Sequence, residues 1–400
     1  MLKRLLALIL AVAVVALLWL YAPVAHGESV ESGPPVAPVA RLSHESREGS
    51  LGTELALALL RRLAREDESL TYKGTQVIIL WSGRGARASI ARVTRQGASR
   101  LRIEYLPSAA SPYRVVVCDG YKIWSYVPSK RLAVVQPFDS KSRGLKLPGD
   151  EFSQQNLDLL QNNYSIRLLG RALVASREAY SILLLPRHSG NPERRIWVDS
   201  EKPVVLRMEE YNTRGELTFL SYYAQIAFLS GIPGSMFEFT PPEGTRVLTQ
   251  PGLPELVPPH TLRAALGQDI LIPSFSAEGY VLEGGAIVRL GDIECVHLQY
   301  FDGLGVVSFF QTVLPSRSQV RLEDATTVEV NDTRADLVQR PRANILRWRA
   351  GGRDFFLVGN VDGETMVKMA ESVYAQGKGN PGEGIVSSLT ERLLFLFFRK

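Results

Sequence analysis

The chain has 400 residues, which is long enough for two or three domains, and its 45% hydrophobic and 22% charged residues are typical of a globular protein. This composition excludes general disorder and a polytopic membrane protein. The formal net charge of +5 conceals an asymmetry, because residues 73–147 hold 14 Lys or Arg and only three acids. One part of the protein should therefore attract anionic partners.

The first 27 residues have the pattern of an export signal. Lys3 and Arg4 precede an apolar run over residues 5–20, and small residues follow at Ala25 and Gly27. We therefore predict a signal peptide over 1–27 and a periplasmic or otherwise extracytoplasmic protein. Because the apolar run is almost long enough to span a bilayer, an uncleaved anchor is the alternative.

The next part of the chain changes from a spacer to a β-rich domain. Residues 28–50 are rich in Gly, Pro and charge, which is typical of a flexible spacer. A leucine stripe predicts a helix over 51–65, and a second, short helix is expected over 152–160. Otherwise 51–247 consists of short β-type runs separated by turns, one of which, Asp119-Gly120, predicts a two-residue hairpin. We therefore predict one large curved antiparallel sheet whose concave side the helices fill.

The remaining chain predicts a smaller α+β domain. Residues 248–259 form a Pro-rich linker, and 260–375 contain further β-type runs closed by a helix. Residues 376–400 comprise a linker and an apolar tail, of which 385–400 is either a peripheral membrane helix or a disordered or packed C-terminus. The fold class expected is therefore α+β, with a large antiparallel sheet capped by helices and a smaller α+β C-terminal domain.

Signatures of metal or catalytic chemistry are missing from the sequence. The five histidines are isolated, and no Ser lies in a nucleophile elbow. Residues 83–88 imitate a dinucleotide fingerprint, but the residues after them predict a strand instead of the required helix. We therefore expect no metal, no cofactor and no enzymatic activity. Cys118 and Cys295 are expected to be two separately buried thiols, with a bridge between the domains as the alternative.

The basic stretch over 73–147 indicates the chemistry of the partners. Nine of its 14 cations are arginines, which can grip phosphate or carboxylate bidentately. Export makes nucleic acid an improbable target, so anionic lipid head groups or an acidic protein segment are the expected ligands. A basic exposed sheet face without a ligand is the competing interpretation.

Several motifs, in this order, resemble those of one protein family. They are Tyr72-Lys73-Gly74-Thr75, Trp124-Ser125-Tyr126-Val127-Pro128, Trp197-Val198-Asp199 and Asp302-Gly303-Leu304. Together they are similar to the RseB/MucB family, the periplasmic regulators of the extracytoplasmic-stress sigma factor, whose large domain shares the fold of the lipoprotein carriers LolA and LolB. The resemblance covers roughly 51–375. The chain departs from the family at 192–195 and in its apolar tail.

The resemblance implies a half-open barrel with an apolar hollow, in a non-enzymatic regulator. Such a protein binds the exposed part of a membrane anti-sigma factor and senses lipid or mislocalised lipoprotein. Residues expected in the hollow, for which plain core packing is the alternative role, are Val77, Ile79, Trp81, Trp124, Tyr126, Leu183 and Trp197. Residues expected to bind the partner are Arg84, Arg87, Arg92, Arg95, Asp302, Gly303 and Leu304. A periplasmic lipid or lipoprotein carrier is the alternative function, and a secreted enzyme is a third.

Overall fold

The computed structural model describes residues 48–373 except 66–68, 83–84, 107–113, 139–151, 154–155, 253, 268–269, 291–292, 314–321, 323 and 341–342. Over these residues the chain divides into two compact units, with the division between 253 and 254. The predicted signal peptide, the apolar tail and Arg84 lie outside the described residues.

The large unit is built on a sheet of twelve strands. In chain order the strands are β1 (Thr71–Ser82), β2 (Gly85–Gln96), β3 (Arg100–Tyr105), β4 (Arg114–Asp119), β5 (Lys122–Val127), β6 (Leu132–Pro137), β7 (Tyr164–Val174), β8 (Arg177–Pro186), β9 (Glu193–Asp199), β10 (Val205–Tyr211), β11 (Leu217–Phe228) and β12 (Arg246–Thr249). Their order across the sheet is β12-β6-β5-β4-β3-β2-β1-β11-β10-β9-β8-β7. All neighbours are antiparallel except β12 and β6, which are parallel.

One face of this sheet, here called the inner face, carries most of the buried side chains. Tyr72 and Tyr223 meet there edge to face, with ring centroids 5.9 Å apart and their hydroxyls 3.2 Å apart. Two helices, α1 (Glu48–Leu63) and α2 (Leu157–Asn163), contact β7. The C-terminal end of α1 is held where Arg62 donates to the carbonyl oxygens of Asp199 and Ser200.

The other face of the sheet, here called the outer face, is covered in part by the segment that follows β11. A 3-10 helix at Gly234–Phe237 contacts β3 and β4, and Phe237 is fully buried. Arg102 Nη1 donates to the carbonyl oxygen of Met236 at 3.4 Å. This 3-10 helix therefore covers the outer face over β3 and β4, and we call Gly234–Phe237 the roof segment.

The small unit is a seven-stranded antiparallel sheet with two helices. Its elements are α3 (Pro259–Leu266), β13 (Val281–Leu290), β14 (Ile293–Phe301), β15 (Val306–Thr312), β16 (Thr326–Val330), β17 (Thr333–Val338), β18 (Asn344–Ala350), β19 (Arg353–Gly359) and α4 (Gly363–Ser372). The strand order is β13-β14-β15-β19-β18-β17-β16. Phe309, Trp348 and Phe355 stack in a core that residues of α3 and α4 complete.

The predicted fold class is confirmed, with differences in particular elements. The hairpin expected at Asp119-Gly120 is present, and Asp119 Oδ1 accepts from the backbone N–H of Tyr121 and of Lys122, each at 2.8 Å. Cys118 and Cys295 are free and buried, as expected. The second helix begins at Leu157 and not at 152: Phe152 and Ser153 are not helical, and the backbone N–H of Asn156 donates to the carbonyl oxygen of Ser153 at 3.0 Å.

Three strands and one helix of the small unit were not predicted from the sequence. Strands β16 to β18 alternate polar and apolar residues, and the turn at Asn331-Asp332 has φ of 45° and 62° at its two residues. Such a two-residue turn is typical of a tight hairpin. Helix α3 begins at Pro259 and is followed by Gly267 at φ 61°, which is the usual arrangement of proline at the start and glycine after the end of a helix.

Candidate functional site

All seven residues expected in the apolar hollow lie on the outer face. Strand pairing connects Val77 to Tyr222, Tyr222 to Arg207 and Arg207 to Trp197, and directly paired residues of antiparallel strands point to the same face. On β1 the side chains of Val77, Ile79 and Trp81 follow one another along this face, and each is half-buried. We call these three residues the apolar strip.

Three of the other four predicted hollow residues are covered by side chains of the large unit itself. The rings of Trp124 and Tyr126 pack on Phe239, with centroids 5.6 and 5.5 Å apart. The guanidinium of Arg207 lies 4.8 Å above the ring of Trp197. Leu183 is half-buried two strands away from Arg207. The structure therefore places the seven residues on one face but brings only the β1 residues into one continuous line.

A cavity of about 380 Å³ lies on the outer face at the other end of β1. Its lining comes from β1, β2, β3 and β11, with Met236 contributing from the roof segment. The lining residues are Lys73, Gly74, Thr75, Arg92, Val93, Thr94, Arg102, Glu104, Gln225, Ile226, Ala227 and Met236. Of the predicted partner-binding residues that the structure describes, only Arg92 lies here.

The cavity is cationic. It contains Lys73, Arg92 and Arg102 against the single acid Glu104. Arg102 Nε donates to Glu104 Oε1 at 2.7 Å, and both side chains are about one-quarter exposed. Lys73 and Arg92 are exposed, and within the part of the chain that the structure describes neither forms an ion pair. One acid therefore neutralises one of three cations, and two positive charges remain.

The strand backbone beneath the cavity includes a glycine that the packing of the inner face requires. A Cβ on Gly74 would lie 2.7 Å from a ring carbon of Tyr223 and 2.8 Å from the carbonyl oxygen of Gln225, so only glycine fits there. The pairing of β1 with β11 shifts beside it, which leaves Ala224 as the extra residue of a β-bulge. The Tyr-x-Gly-Thr motif thus marks a close approach of β1 to β11 on the inner face, on the opposite side of the sheet from the cavity.

The arginines of β2 predicted to bind a partner do not form one surface. Because side chains alternate along β2, Arg87 and Arg95 lie on the inner face, whereas Arg92 lies on the outer face. Arg95 Nε donates to the carbonyl oxygen of Gly97 at 3.0 Å, and Arg87 is exposed. Alternation along the strand separates residues that are close in sequence.

Asp302, Gly303 and Leu304 form the turn between β14 and β15. The carboxylate of Asp302 is fully buried, and its Oδ1 accepts from the backbone N–H of Leu304 at 2.8 Å and of Gly305 at 2.6 Å. Gly303 has φ of 100°, which favours glycine. The motif therefore has a clear structural role, and its role in partner binding stays a prediction.

Sequence reasoning missed most of the cavity. Lys73, Arg102 and Gln225 were not singled out, although Lys73 and Arg102 lie in the basic stretch. The signal that joins them is strand register, because Lys73 pairs with Thr94 and Thr94 pairs with Arg102. That register becomes visible only once the strands are aligned.

Among the described residues, no group of three or more His, Cys, Asp or Glu side chains is arranged to hold a metal ion. None of the helices in the described part of the chain has the length and apolar character needed to cross a bilayer.

Comparison with known proteins supports the resemblance seen in the sequence. Residues 55–231 match the profile of the MucB/RseB N-terminal domain. Two crystal structures are similar: MucB in complex with MucA(peri), at 18% identity and a TM-score of 0.52, and the Pseudomonas aeruginosa MucA/MucB complex, at 17% identity and a TM-score of 0.53. Each alignment covers 79% of this chain and 97% of the matched chain. No curated protein matches the sequence. The predicted resemblance to the RseB/MucB family is confirmed.

Proposed function

We propose that this protein, whose residues 55–231 match the MucB/RseB N-terminal domain, is an exported regulator that binds the extracytoplasmic part of a membrane anti-sigma factor. The proposal is supported most by the likeness in fold to MucB chains crystallised with MucA, which extends over 97% of those chains. The likeness therefore includes the small unit. A lipoprotein carrier needs only the first domain, so the second unit favours regulation over transport.

The charge of the basic stretch supports an acidic partner segment. Arg87 and Arg92 are exposed cations on opposite faces of β2, and we propose that acidic residues of the partner contact each of them separately. Because such contacts are solvent-exposed, they should contribute mainly to the association rate and weaken as salt is raised.

We further propose that lipid or a mislocalised lipoprotein releases the partner by binding the apolar strip. Val77, Ile79 and Trp81 repeat at every second residue of β1, so their side chains extend over about 13 Å along the outer face. They are half-buried and lie beside Tyr222 and Leu220, which suits an acyl chain laid along the strand. The lipid acts as a switch only if it favours the released state.

The test uses the mature chain and the extracytoplasmic segment of the anti-sigma factor encoded by the same organism. Isothermal titration should give saturable binding of the segment, and a triacylated lipopeptide should release it. Absence of binding by the wild-type protein would contradict the regulatory proposal.

Variants separate the two parts of the proposal. Ile79→Glu should keep segment binding and lose release by lipopeptide, because a carboxylate then interrupts the apolar strip. Leu173→Glu is the matched control, since Leu173 is an exposed leucine on β7 away from the strip. Equal release from both variants would show that lipid does not bind along β1.

A further inference from the structure

We propose that the cationic cavity beneath Met236 is a binding site for a phosphate monoester group. The proposal does not depend on the anti-sigma factor, because it rests on the lining of the cavity alone. Its volume of about 380 Å³ lies within the range of small-molecule pockets, roughly 300–1,000 Å³. A bare phosphate is much smaller, so the ligand that fills the cavity carries more than the phosphate.

Charge is the first argument for this ligand class. Lys73, Arg92 and Arg102 face one acid, Glu104, so two positive charges remain. A phosphate monoester carries about −1.5 to −2 at neutral pH and matches this excess, whereas a single carboxylate leaves one cation uncompensated. Arg102 is already bonded to Glu104 and to the roof at Met236, so Lys73 and Arg92 are the cations available to the phosphate.

Hydrogen-bonding capacity is the second argument. Thr75 and Thr94 add hydroxyl groups on the same face as the cations, because Lys73 pairs directly with Thr94 and Thr75 with Arg92. The amide of Gln225 lies on β11 opposite Thr75. Cations and neutral donors on three adjacent strands surround one volume, which suits the several oxygens of a phosphate.

Rigidity is the third argument. The floor is sheet backbone, in which β1 is paired on both sides, with β2 and with β11. The roof is tied to the floor by the hydrogen bond from Arg102 to the Met236 carbonyl oxygen at 3.4 Å. A preformed site loses little conformational entropy when it binds its ligand.

The test is calorimetric titration of the full mature chain with inorganic phosphate, with glycerol 3-phosphate, and with phosphatidylcholine vesicles that contain or lack phosphatidic acid. Saturable binding in the soluble arms would identify a free phosphate compound as the source. Binding only to vesicles with phosphatidic acid would identify a lipid head group.

Either result supports the proposal only if it depends on the cavity. The double variant Lys73→Gln/Arg92→Gln should weaken binding at least about tenfold, because both charge-assisted contacts are removed. The control Lys122→Gln/Lys130→Gln removes the same charge at exposed positions outside the cavity lining and should bind like the wild type.

A second pair of variants tests occupation of the cavity. Ala227→Glu places a carboxylate in the lining and should abolish binding, whereas Ala224→Glu, at an exposed position on the same strand but outside the lining, should not. The proposal is overturned if no arm shows saturable binding, or if the cavity variants and their controls weaken binding equally.

Discussion

Replacing Asp199 with asparagine should destabilise the large unit by about 2–4 kcal/mol. The carboxylate of Asp199 is fully buried at the end of β9 and forms a bidentate ion pair with Arg177, whose side chain is 26% exposed. It also accepts from the backbone N–H of Glu201 at 2.9 Å and of Lys202 at 2.8 Å. The side-chain oxygen of asparagine can keep the contacts with the backbone N–H groups. Its NH2 group then faces the guanidinium of Arg177, and two hydrogen-bond donors cannot pair.

The magnitude follows from the two lost contacts. A hydrogen bond to a charged group contributes about 1.5–3 kcal/mol, and the partial exposure of Arg177 reduces the sum for the pair. Glu201→Gln is the matched control, because Glu201 pairs with the same arginine but is 73% exposed. Its loss should cost no more than about 0.5 kcal/mol.

The assay is urea unfolding followed by tryptophan fluorescence, for which Trp197 lies two residues from Asp199. Burial acts to raise the pKa of Asp199, but the hydrogen bonds from Arg177 and the backbone outweigh it and hold the pKa below its ordinary value. The stabilisation is therefore present above about pH 3.9 and is lost as the pH falls below it. Asp199→Asn and Glu201→Gln costing the same amount at pH 7 would refute this reasoning.

Three further predictions concern buried groups. Trp348→Ala should lower the free energy of unfolding of the small unit, measured in urea, by about 3–5 kcal/mol, because the ring is almost fully buried. Tyr121→Ala, at a 79% exposed position, is the control and should change the free energy of unfolding by less than about 0.5 kcal/mol. Burial lowers the pKa of His297 to about 4, so the unfolded state binds a proton first as the pH falls from about 6.5. Stability of the small unit should decline between pH 6.5 and 4, and His297→Gln should remove that part of the pH dependence. Burial raises the pKa of Cys118 to about 11 and of Cys295 to about 12, so Ellman's reagent at pH 8 should label neither thiol until the protein is unfolded.

Local sequence patterns predicted the elements whose causes are local. The leucine stripe of α1, the hairpin at Asp119-Gly120 and the alternating strands of the large sheet all follow from short-range periodicity and turn chemistry. Where a local signal was overlooked, as at Asn331-Asp332, strands β16 to β18 were missed with it. These are properties that a few neighbouring residues decide.

The candidate sites depend on strand register, which neighbouring residues do not decide. Val77, Ile79 and Trp81 lie on one face of β1 because side chains alternate within any strand. Whether that face is the covered or the open one depends on where α1 and the segment at 233–239 pack. The β2 arginines illustrate the same limit, since Arg92 and Arg95 are close in sequence but point to opposite faces.

The sequence by itself determined the composition of the molecule: a β-rich chain with a basic first half, two buried thiols and, in order, motifs that resemble those of the RseB/MucB family. Only the tertiary structure decided that Lys73, Arg92 and Arg102 surround one cavity, because pairing of β1, β2 and β3 brings together residues up to 29 positions apart. It likewise decided that Asp302 is buried in its own turn. Charges act through space, and their distances are set by strand pairing and not by their order along the chain.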